Sequence, residues 1–191
     1  MNATATPNQT LLSVEDLDVY YGESRILREV KLDITHGSII AVMGRNGVGK
    51  TTLMKAIMGL LPARKGQIHL NSEEITQWTP DLRARAGIGI VPQGREIFSK
   101  LSVLENLQIG LEARTDGLKT IPEDLIYSLF PVLSDMKHRA GGNLSGGQQQ
   151  QLAIARALVG DPDVLILDEP TEGIQPSIIL EIEKILLHLK D

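Results

Sequence analysis

The chain has 191 residues, which suits one domain or one domain with a subdomain. Hydrophobic residues make up 42% and charged residues 23%, the composition of a globular protein, and aromatic residues at 3% imply an aliphatic core. The absence of cysteine excludes disulfide frameworks and cysteine metal sites, and a net charge of −5 argues against a nucleic-acid-binding surface. An excess of glycine, 18 residues without a collagen period, predicts loops that approach another group closely.

The N-terminal part predicts a short lead followed by strands. Segment 1–10 is polar and lacks both the basic region and the apolar stretch of a secretory signal, so we interpret it as a disordered lead. Alternating and β-branched residues predict strands at 11–20 and 26–34. The continuous apolar run at 38–43 predicts a fully buried parallel strand. No apolar run approaches the roughly 18 residues of a membrane span.

The rest of the chain alternates between helical and strand patterns, interrupted by a long helical stretch. Because strands flank that stretch, we predict an α/β core with an inserted helical subdomain at about 94–160. In chain order, the predicted elements are a helix at 50–58, a strand at 66–70, a helix at 81–86, a strand at 87–91, several helices within 101–157, a strand at 163–167 and a helix from 176 to the end.

A glycine-rich loop follows the predicted strand at 38–43. Its sequence, G-R-N-G-V-G-K-T, fits the pattern G-x-x-x-x-G-K-[ST] of a phosphate-binding loop. Lys50 is placed to reach the β- and γ-phosphates, the Thr51 hydroxyl to ligate Mg²⁺, and Thr52 to contact the α-phosphate. The alternative is a glycine-rich turn with an exposed lysine. The residues predicted to bind nucleotide here are Gly44, Arg45, Asn46, Gly47, Val48, Gly49, Lys50, Thr51 and Thr52.

Two acidic residues end the apolar strand at 163–167. Asp168 is placed to hold Mg²⁺ through water, and Glu169 to act as a general base on an attacking water. The alternative is an ordinary solvated strand end, which the presence of a phosphate loop in the same chain makes less favoured.

A third motif lies between the first two. Leu144-Ser145-Gly146-Gly147-Gln148 precedes a helical pattern, and by itself it would also suit a serine-glycine turn that caps a helix. In this order the three motifs resemble those of ATP-binding-cassette (ABC) ATPases, from about Leu11 to the end of the chain. The resemblance implies α/β architecture: a P-loop NTPase (RecA-like) core with a mixed sheet at 11–93 and 161–191, an N-terminal antiparallel β subdomain, and the inserted α-helical signature subdomain at 94–160.

The resemblance also assigns roles to individual residues. Tyr21 matches the aromatic residue that stacks on adenine, although a core tyrosine is the alternative. Gln93 matches the glutamine that senses Mg²⁺ and the attacking water, so the implied metal-binding residues are Thr51, Gln93 and Asp168. In the family two chains pack head to tail, and the implied contacts to the partner's γ-phosphate come from the signature: Leu144, Ser145, Gly146, Gly147 and Gln148.

The chain also departs from the family pattern. The aspartate usual in the loop after the catalytic strand is Gln175, and a common arginine in the signature helix is Gln151. The family's switch histidine has no match: His188 lies within the predicted last helix, where we expect an exposed surface residue. Because the sequence stops before the last core strand of the family, we expect a truncated cassette.

Three segments, around Gly44–Leu53, Val91–Phe98 and Glu169–Pro176, resemble the importer ATPases for branched-chain amino acids and urea, and T-E-G-I-Q-P is most like the urea-type subunit. The resemblance implies a peripheral protein at the cytoplasmic face of the inner (plasma) membrane. Its implied partners are a second ATP-binding subunit, transmembrane permease subunits and, indirectly, a periplasmic solute-binding protein, with no nucleic acid. Candidates for the groove that receives the permease are Phe98, Leu101 and Val103, for which ordinary packing is the alternative.

Non-transport ABC ATPases are the rival hypotheses. Chromosome-type members insert coiled coils between the phosphate loop and the signature, whereas only 94 positions separate Lys50 from Leu144 here, without sustained heptads. Translation factors usually carry two cassettes in one chain. The sequence therefore predicts the ATPase of an importer that uses ATP and Mg²⁺, with urea as the favoured solute. The alternatives are a branched-chain amino acid importer and a DNA-repair or translation-associated ATPase.

Overall fold

The computed structural model describes residues 9–190, so most of the predicted disordered lead lies outside the described residues. Thr10, which that lead included, is the first residue of a strand. The chain divides into two compact units, one that extends to Arg83 and includes Lys190, and one that spans Ala84–Leu189. The functional division predicted from the family resemblance, with its boundaries at 93/94 and 160/161, stays a prediction.

The first unit contains an antiparallel sheet of four strands in the order β2-β1-β3-β4. A turn at Gly22, where φ is +57°, joins the first two strands into a hairpin, since Tyr21 pairs directly with Ser24. The strands are β1 (Thr10–Tyr21), β2 (Ser24–Thr35), β3 (Ala63–Leu70) and β4 (Glu73–Glu74).

Strand β1 changes its buried face halfway along. Leu12 and Val14 are buried, and the next buried apolar residues are Leu17 and Val19, so the two-residue alternation shifts by one. The shift coincides with a register irregularity in the pairing with β2 and with Asp16, whose φ is +47°. A bulge of this kind inserts one residue and re-aims the side chains that follow it.

Helix α1 (Lys50–Ile57) belongs to the same unit, and it buries Leu53, Ala56 and Ile57. The short helix α2 (Pro80–Arg85) contributes Arg83, whose guanidinium donates hydrogen bonds to the carbonyl oxygens of Ala56 at 2.8 Å and Ile57 at 2.6 Å. Arg83 thereby supplies a donor to the Ile57 carbonyl at the end of α1, and a second donor to the Ala56 carbonyl, which also accepts from the Gly59 N–H at 3.1 Å.

The prediction of a strand at 38–43 is wrong. The structure has no strand there, and the apolar side chains lie exposed, with exposed fractions of 53% for Ile39, 46% for Ile40 and 89% for Met43. An apolar run becomes a strand only when neighbouring strands accept its backbone hydrogen bonds. No strand within residues 9–190 pairs with this segment, so the segment does not form a strand despite its apolar composition.

The second unit contains one parallel strand pair, β5 (Ile88–Val91) with β6 (Val164–Leu167), in which Val91 lies opposite Leu167. Two short 3₁₀ turns, at Leu111–Ala113 and Gly141–Asn143, connect helices in this unit. Its helices are α3 (Val103–Gly110), α4 (Glu123–Leu129), α5 (Pro131–Asp135), α6 (Gly146–Val159) and α7 (Pro176–Lys190).

Helix α6 is the centre of the second unit's hydrophobic core. Leu152, Ile154 and Val159 are fully buried and share a cluster with residues of α3, α4 and α5. Helices α3 and α6 pack closely, because a Cβ atom on Gly110 would lie 2.3 Å from the Arg156 carbonyl oxygen. The predicted helical stretch at 101–157 and the strands at 87–91 and 163–167 are confirmed to within a few residues.

Within residues 9–190 no helix is both long and apolar enough to cross a membrane. His188 is exposed on helix α7, as its place in the helical pattern predicts.

Candidate nucleotide-binding and catalytic site

The loop before α1 combines glycines at left-handed backbone angles with the start of a helix. Gly47 has φ +81° and Gly49 has φ +105°, conformations that residues with a Cβ rarely adopt. Gly49 caps α1 without any side-chain hydrogen bond, so the first N–H groups of the helix are not used by a side-chain cap. Such N–H groups, together with the helix dipole, favour a bound anion.

Lys50 places a cation at the same loop. Its Nζ atom donates hydrogen bonds to the carbonyl oxygens of Gly44 at 2.9 Å and Arg45 at 3.1 Å. The side chain therefore turns back over the loop instead of extending into solvent. Thr51 is half-buried and Thr52 is buried. The arrangement has the chemistry of a phosphate site, and the individual nucleotide contacts stay predictions.

Tyr21 ends β1 with 48% of its surface exposed. The alternative of a core tyrosine is therefore wrong. Its neighbour Tyr20 is covered instead, because the Arg64 guanidinium lies 4.3 Å from the Tyr20 ring centroid and also donates to the Gly22 carbonyl oxygen at 2.8 Å. An exposed ring suits stacking on adenine, which stays a prediction.

In the second unit the ends of β5 and β6 bring the predicted catalytic residues together. The Asp168 backbone N–H donates to the Val91 carbonyl oxygen at 2.9 Å, which continues the parallel pairing to the end of both strands. Gln93 Nε2 donates to Glu169 Oε2 at 3.1 Å. Residues that are 76 positions apart are thus hydrogen-bonded, as expected for side chains at the carboxyl ends of neighbouring parallel strands.

Glu172 is a member of this cluster that the sequence analysis missed. Gln93 Nε2 donates to Glu172 Oε2 at 3.1 Å, the same distance as to Glu169. The sequence showed Glu172 only as a departure from the family pattern. Its acidic side chain so close to Asp168 and Glu169 was the available signal.

The described residues fit a bound Mg²⁺. Asp168 is 4% exposed, and its buried Oδ1 atom has no hydrogen-bond partner within the described part of the chain. A buried carboxylate oxygen without a donor is a hard ligand of the kind that Mg²⁺ prefers. No group of three or more His, Asp or Glu residues capable of holding a metal occurs within residues 9–190, so substrate phosphates and water would complete the shell.

The signature residues begin α6. Ser145 and Gln148 form a capping box: Ser145 Oγ accepts from the Gln148 N–H at 3.3 Å, and Gln148 Oε1 accepts from the Ser145 N–H at 2.9 Å. The helix-cap interpretation is therefore confirmed, and it does not exclude the predicted phosphate contact. Gly147 faces α7, because a Cβ atom there would lie 3.0 Å from Ile178. Leu144 is buried.

Two further polar residues support this region. Arg95 donates from Nε to Gln150 Oε1 at 3.3 Å and from Nη2 to the Glu172 carbonyl oxygen at 3.1 Å. Gln151, which stands where the family usually has arginine, is buried and donates to Glu181 Oε2 at 2.9 Å. No sequence motif pointed to Arg95, since an arginine two residues after Gln93 belongs to no recognisable pattern.

The candidate groove residues divide into two kinds. Phe98 is 47% exposed, and the Arg156 guanidinium lies 5.3 Å from its ring centroid. Leu101 is half-buried. Val103 is fully buried in the core of the second unit, so the prediction that it lines a surface groove is wrong. Val103 lies at the start of α3 and belongs to the buried cluster that includes residues of α6, so ordinary packing explains its burial.

The ABC transporter family matches residues 27–172, and the chain belongs to this family. It is similar to the high-affinity branched-chain amino acid transport ATP-binding protein BraG of Pseudomonas aeruginosa, with 37% identity over 94% of this chain and 77% of that protein. It is 41% identical to a probable branched-chain amino acid transport ATP-binding protein, LivF, of Archaeoglobus fulgidus, over 95% of this chain and 77% of that one. It is also 35% identical to the lipopolysaccharide export system ATP-binding protein LptB of Escherichia coli, over 94% of this chain and 76% of that protein.

Solved structures show the same fold. The ATP-binding cassette MJ1267 matches with a TM-score of 0.79 and 31% identity over 96% of this chain and 78% of that one. The ATP-binding cassette MJ0796, solved as a dimer in a post-hydrolysis state with ADP and phosphate, matches with a TM-score of 0.83 and 25% identity. The match covers 95% of this chain and 83% of that one. The chain is therefore an ATP-binding ABC transporter subunit and an ATPase, with the mixed α/β fold of these cassettes.

Proposed function

We propose that this chain hydrolyses ATP to drive an importer, with Glu169 as the general base. The observation that supports hydrolysis best is the contact between Gln93 and Glu169 at the ends of two parallel strands. A carboxylate held by an amide, next to the buried Asp168, is placed to take a proton from a water molecule.

The other site residues complete the proposed mechanism. Lys50 and the N–H groups at the start of α1 bind the β- and γ-phosphates, and Tyr21 stacks on adenine. Thr51, Gln93 and Asp168 hold Mg²⁺, which when bound neutralises phosphate charge. The signature at the start of α6, with Ser145, binds the γ-phosphate of the ATP held by a second chain. Hydrolysis then removes the contact that joins the two chains.

The proposed setting is the cytoplasmic face of the inner membrane, where the chain binds permease subunits. Exposed Phe98, beside Arg156, is the side chain best placed to contact them. A solute-binding protein acts only through the permease, because the ATPase does not touch the solute. We expect no binding to nucleic acid, and salt-dependent binding to DNA or ribosomes would favour the non-transport alternative.

Two solutes are proposed, each for its own reason. The segment Thr171–Pro176 resembles the urea-type subunits, and this favours urea. The similarity to BraG and LivF favours branched-chain amino acids. The similarity to LptB is lower in identity than that to LivF, and it supplies the export alternative.

The experiment that tests the function is solute-stimulated hydrolysis. The protein is assembled with its permease subunits in vesicles, and ATP turnover is measured with a saturating solute-binding protein and either urea or leucine. Stimulation by urea alone supports the urea importer, and stimulation by leucine alone supports the amino acid importer. Turnover that neither solute changes would contradict both.

A further inference from the structure

The segment that follows Gln93 has an unusual backbone. Gly94, Arg95 and Glu96 have φ values of +81°, +71° and +44°, so three successive residues are left-handed and two of them carry a Cβ. A non-glycine residue in this region is strained and persists only where its surroundings hold it. Hydrogen bonds from the Arg95 side chain, and hydrogen bonds to the backbone of Arg95 and Glu96, hold this segment in place.

The Arg95 guanidinium makes contacts in three directions. Nε donates to Gln150 Oε1 on helix α6 at 3.3 Å, and Nη2 donates to the Glu172 carbonyl oxygen at 3.1 Å. Nη1 lies 3.4 Å from the point that a Cβ atom on Gly146 would occupy, so the group lies beside the first turn of α6. Gln150 is only 3% exposed, which makes it a fixed attachment point for Arg95.

The backbone of the same segment is attached to α6 as well. Arg156 Nη2 donates to the Glu96 carbonyl oxygen at 3.0 Å and to the Arg95 carbonyl oxygen at 3.5 Å. Burial lowers the pKa of the Arg156 guanidinium, which nonetheless stays a cation at neutral pH. Two arginines therefore connect the segment to helix α6. The Arg95 side chain reaches α6 from the segment, and the Arg156 side chain reaches the backbone of the segment from α6.

These contacts form a continuous connection. Helix α6, which the signature residues open, is joined through Arg95 to the loop at Glu172, and Glu172 shares the amide of Gln93 with Glu169. This series of contacts extends from the first turns of α6 to the amide that faces the proposed general base. Lysine cannot replace Arg95 here, because only the planar guanidinium reaches Gln150 and Glu172 together.

We propose that Arg95 is a positioning residue, which ties the start of the signature helix to the contact between Gln93 and Glu169. It acts on hydrolysis through Gln93 and does not bind nucleotide. The inference rests on the proposed roles of Gln93 and Glu169, and it deepens them by naming the residue that connects them to the signature.

The test is a double-mutant cycle on basal ATP hydrolysis by the full chain, without solute or permease. We compare Arg95→Met, Arg95→Lys, Gln93→Ala and the Gln93→Ala/Arg95→Met pair with the unchanged protein. Both Arg95 variants are expected to lower kcat about tenfold, as misplaced catalytic groups do, with KM for ATP within about twofold. Arg139→Met, at an exposed arginine of the same unit, is the control and is expected to match the unchanged protein.

The cycle also tests the route. If Arg95 acts through Gln93, the pair is no slower than Gln93→Ala alone. Independent, multiplicative losses in the pair would overturn the inference, as would unchanged kcat in Arg95→Met or full activity in Arg95→Lys. A raised KM with unchanged kcat would overturn it too, because it would place Arg95 on the nucleotide. Solute stimulation is not measured in this assay, so a failure of the importer proposal is recognised separately.

Discussion

At the scale of single residues, the site holds two carboxylates against one amide. Glu169 Oε2 and Glu172 Oε2 each lie 3.1 Å from Gln93 Nε2. Glu169 differs by its place directly after Asp168 at the end of β6 and by its left-handed backbone, with φ +49°. Geometry to Gln93 alone does not distinguish the two acids, so their roles are separated by substitution.

We expect Glu169→Gln to lower ATP turnover by about 10²–10⁴-fold, because an amide of the same shape cannot accept the proton from water. ATP binding is expected to stay intact. Glu172→Gln is the matched control, since it changes the other carboxylate that faces Gln93, and it is expected to keep turnover within about tenfold. Steady-state hydrolysis and equilibrium nucleotide binding are measured on the same preparations. Equal losses in the two variants would contradict the assignment of the base.

At the scale of elements, helix α1 depends on a residue outside it. The Arg83 side chain donates to four carbonyl oxygens, two at the end of α1 and two at Thr76 and Trp78, while it is only 2% exposed. Burial lowers its pKa, and the carbonyl groups compensate by accepting from the charged form. The helix that opens at the phosphate loop is thus anchored at its other end by a buried cation.

Arg83→Met is expected to destabilise the protein by about 2–3 kcal/mol, because four hydrogen bonds from a charged donor are lost and the Ile57 carbonyl loses its donor. Arg85→Met, at an exposed arginine of the same helix α2, is the control and is expected to change stability by no more than about 0.5 kcal/mol. Urea unfolding midpoints measure both. If the two variants unfold alike, the cap does not contribute to stability.

For the whole molecule, the proposed role of the signature is to contact a nucleotide held by a second chain. Ser145 is exposed, and its hydroxyl oxygen caps α6. The same capping box occurs at the start of α3, where Ser102 Oγ accepts from the Glu105 N–H at 3.2 Å. If substitution of Ser145 lowers ATP turnover more than substitution of Ser102 does, the difference therefore has a cause other than helix capping.

Ser145→Ala is expected to lower ATP turnover about tenfold and to weaken ATP-driven dimers, while a single chain binds ATP as before. Both Ser145→Ala and Ser102→Ala are expected to lose about 1 kcal/mol of stability through the lost cap. Only Ser145→Ala is expected to affect hydrolysis. Turnover, light scattering with ATP and nucleotide binding separate these effects. If nucleotide binding by the monomer fails in Ser145→Ala, the role across the dimer is wrong.

Local signals predicted most of the elements and the chemistry of the site. The spacing of Gly44–Thr51, the acids after β6 and the serine-glycine start of α6 each depend on neighbours in the chain, so they are readable without a fold. The failures have a different cause. The apolar run at 38–43 and Val103 were misassigned, because an apolar residue does not say which partner strand or helix covers it.

Residue types at short spacing were sufficient to predict the family, the phosphate loop, the acidic strand end and the signature. Three contacts became visible only in the folded chain: Gln93 contacts Glu172 as well as Glu169, Arg95 joins helix α6 to the loop at Glu172, and Arg83 donates to the end of α1. Those contacts join residues between 26 and 79 positions apart. No local pattern encodes them, since the packing of the strands and helices decides which polar groups meet.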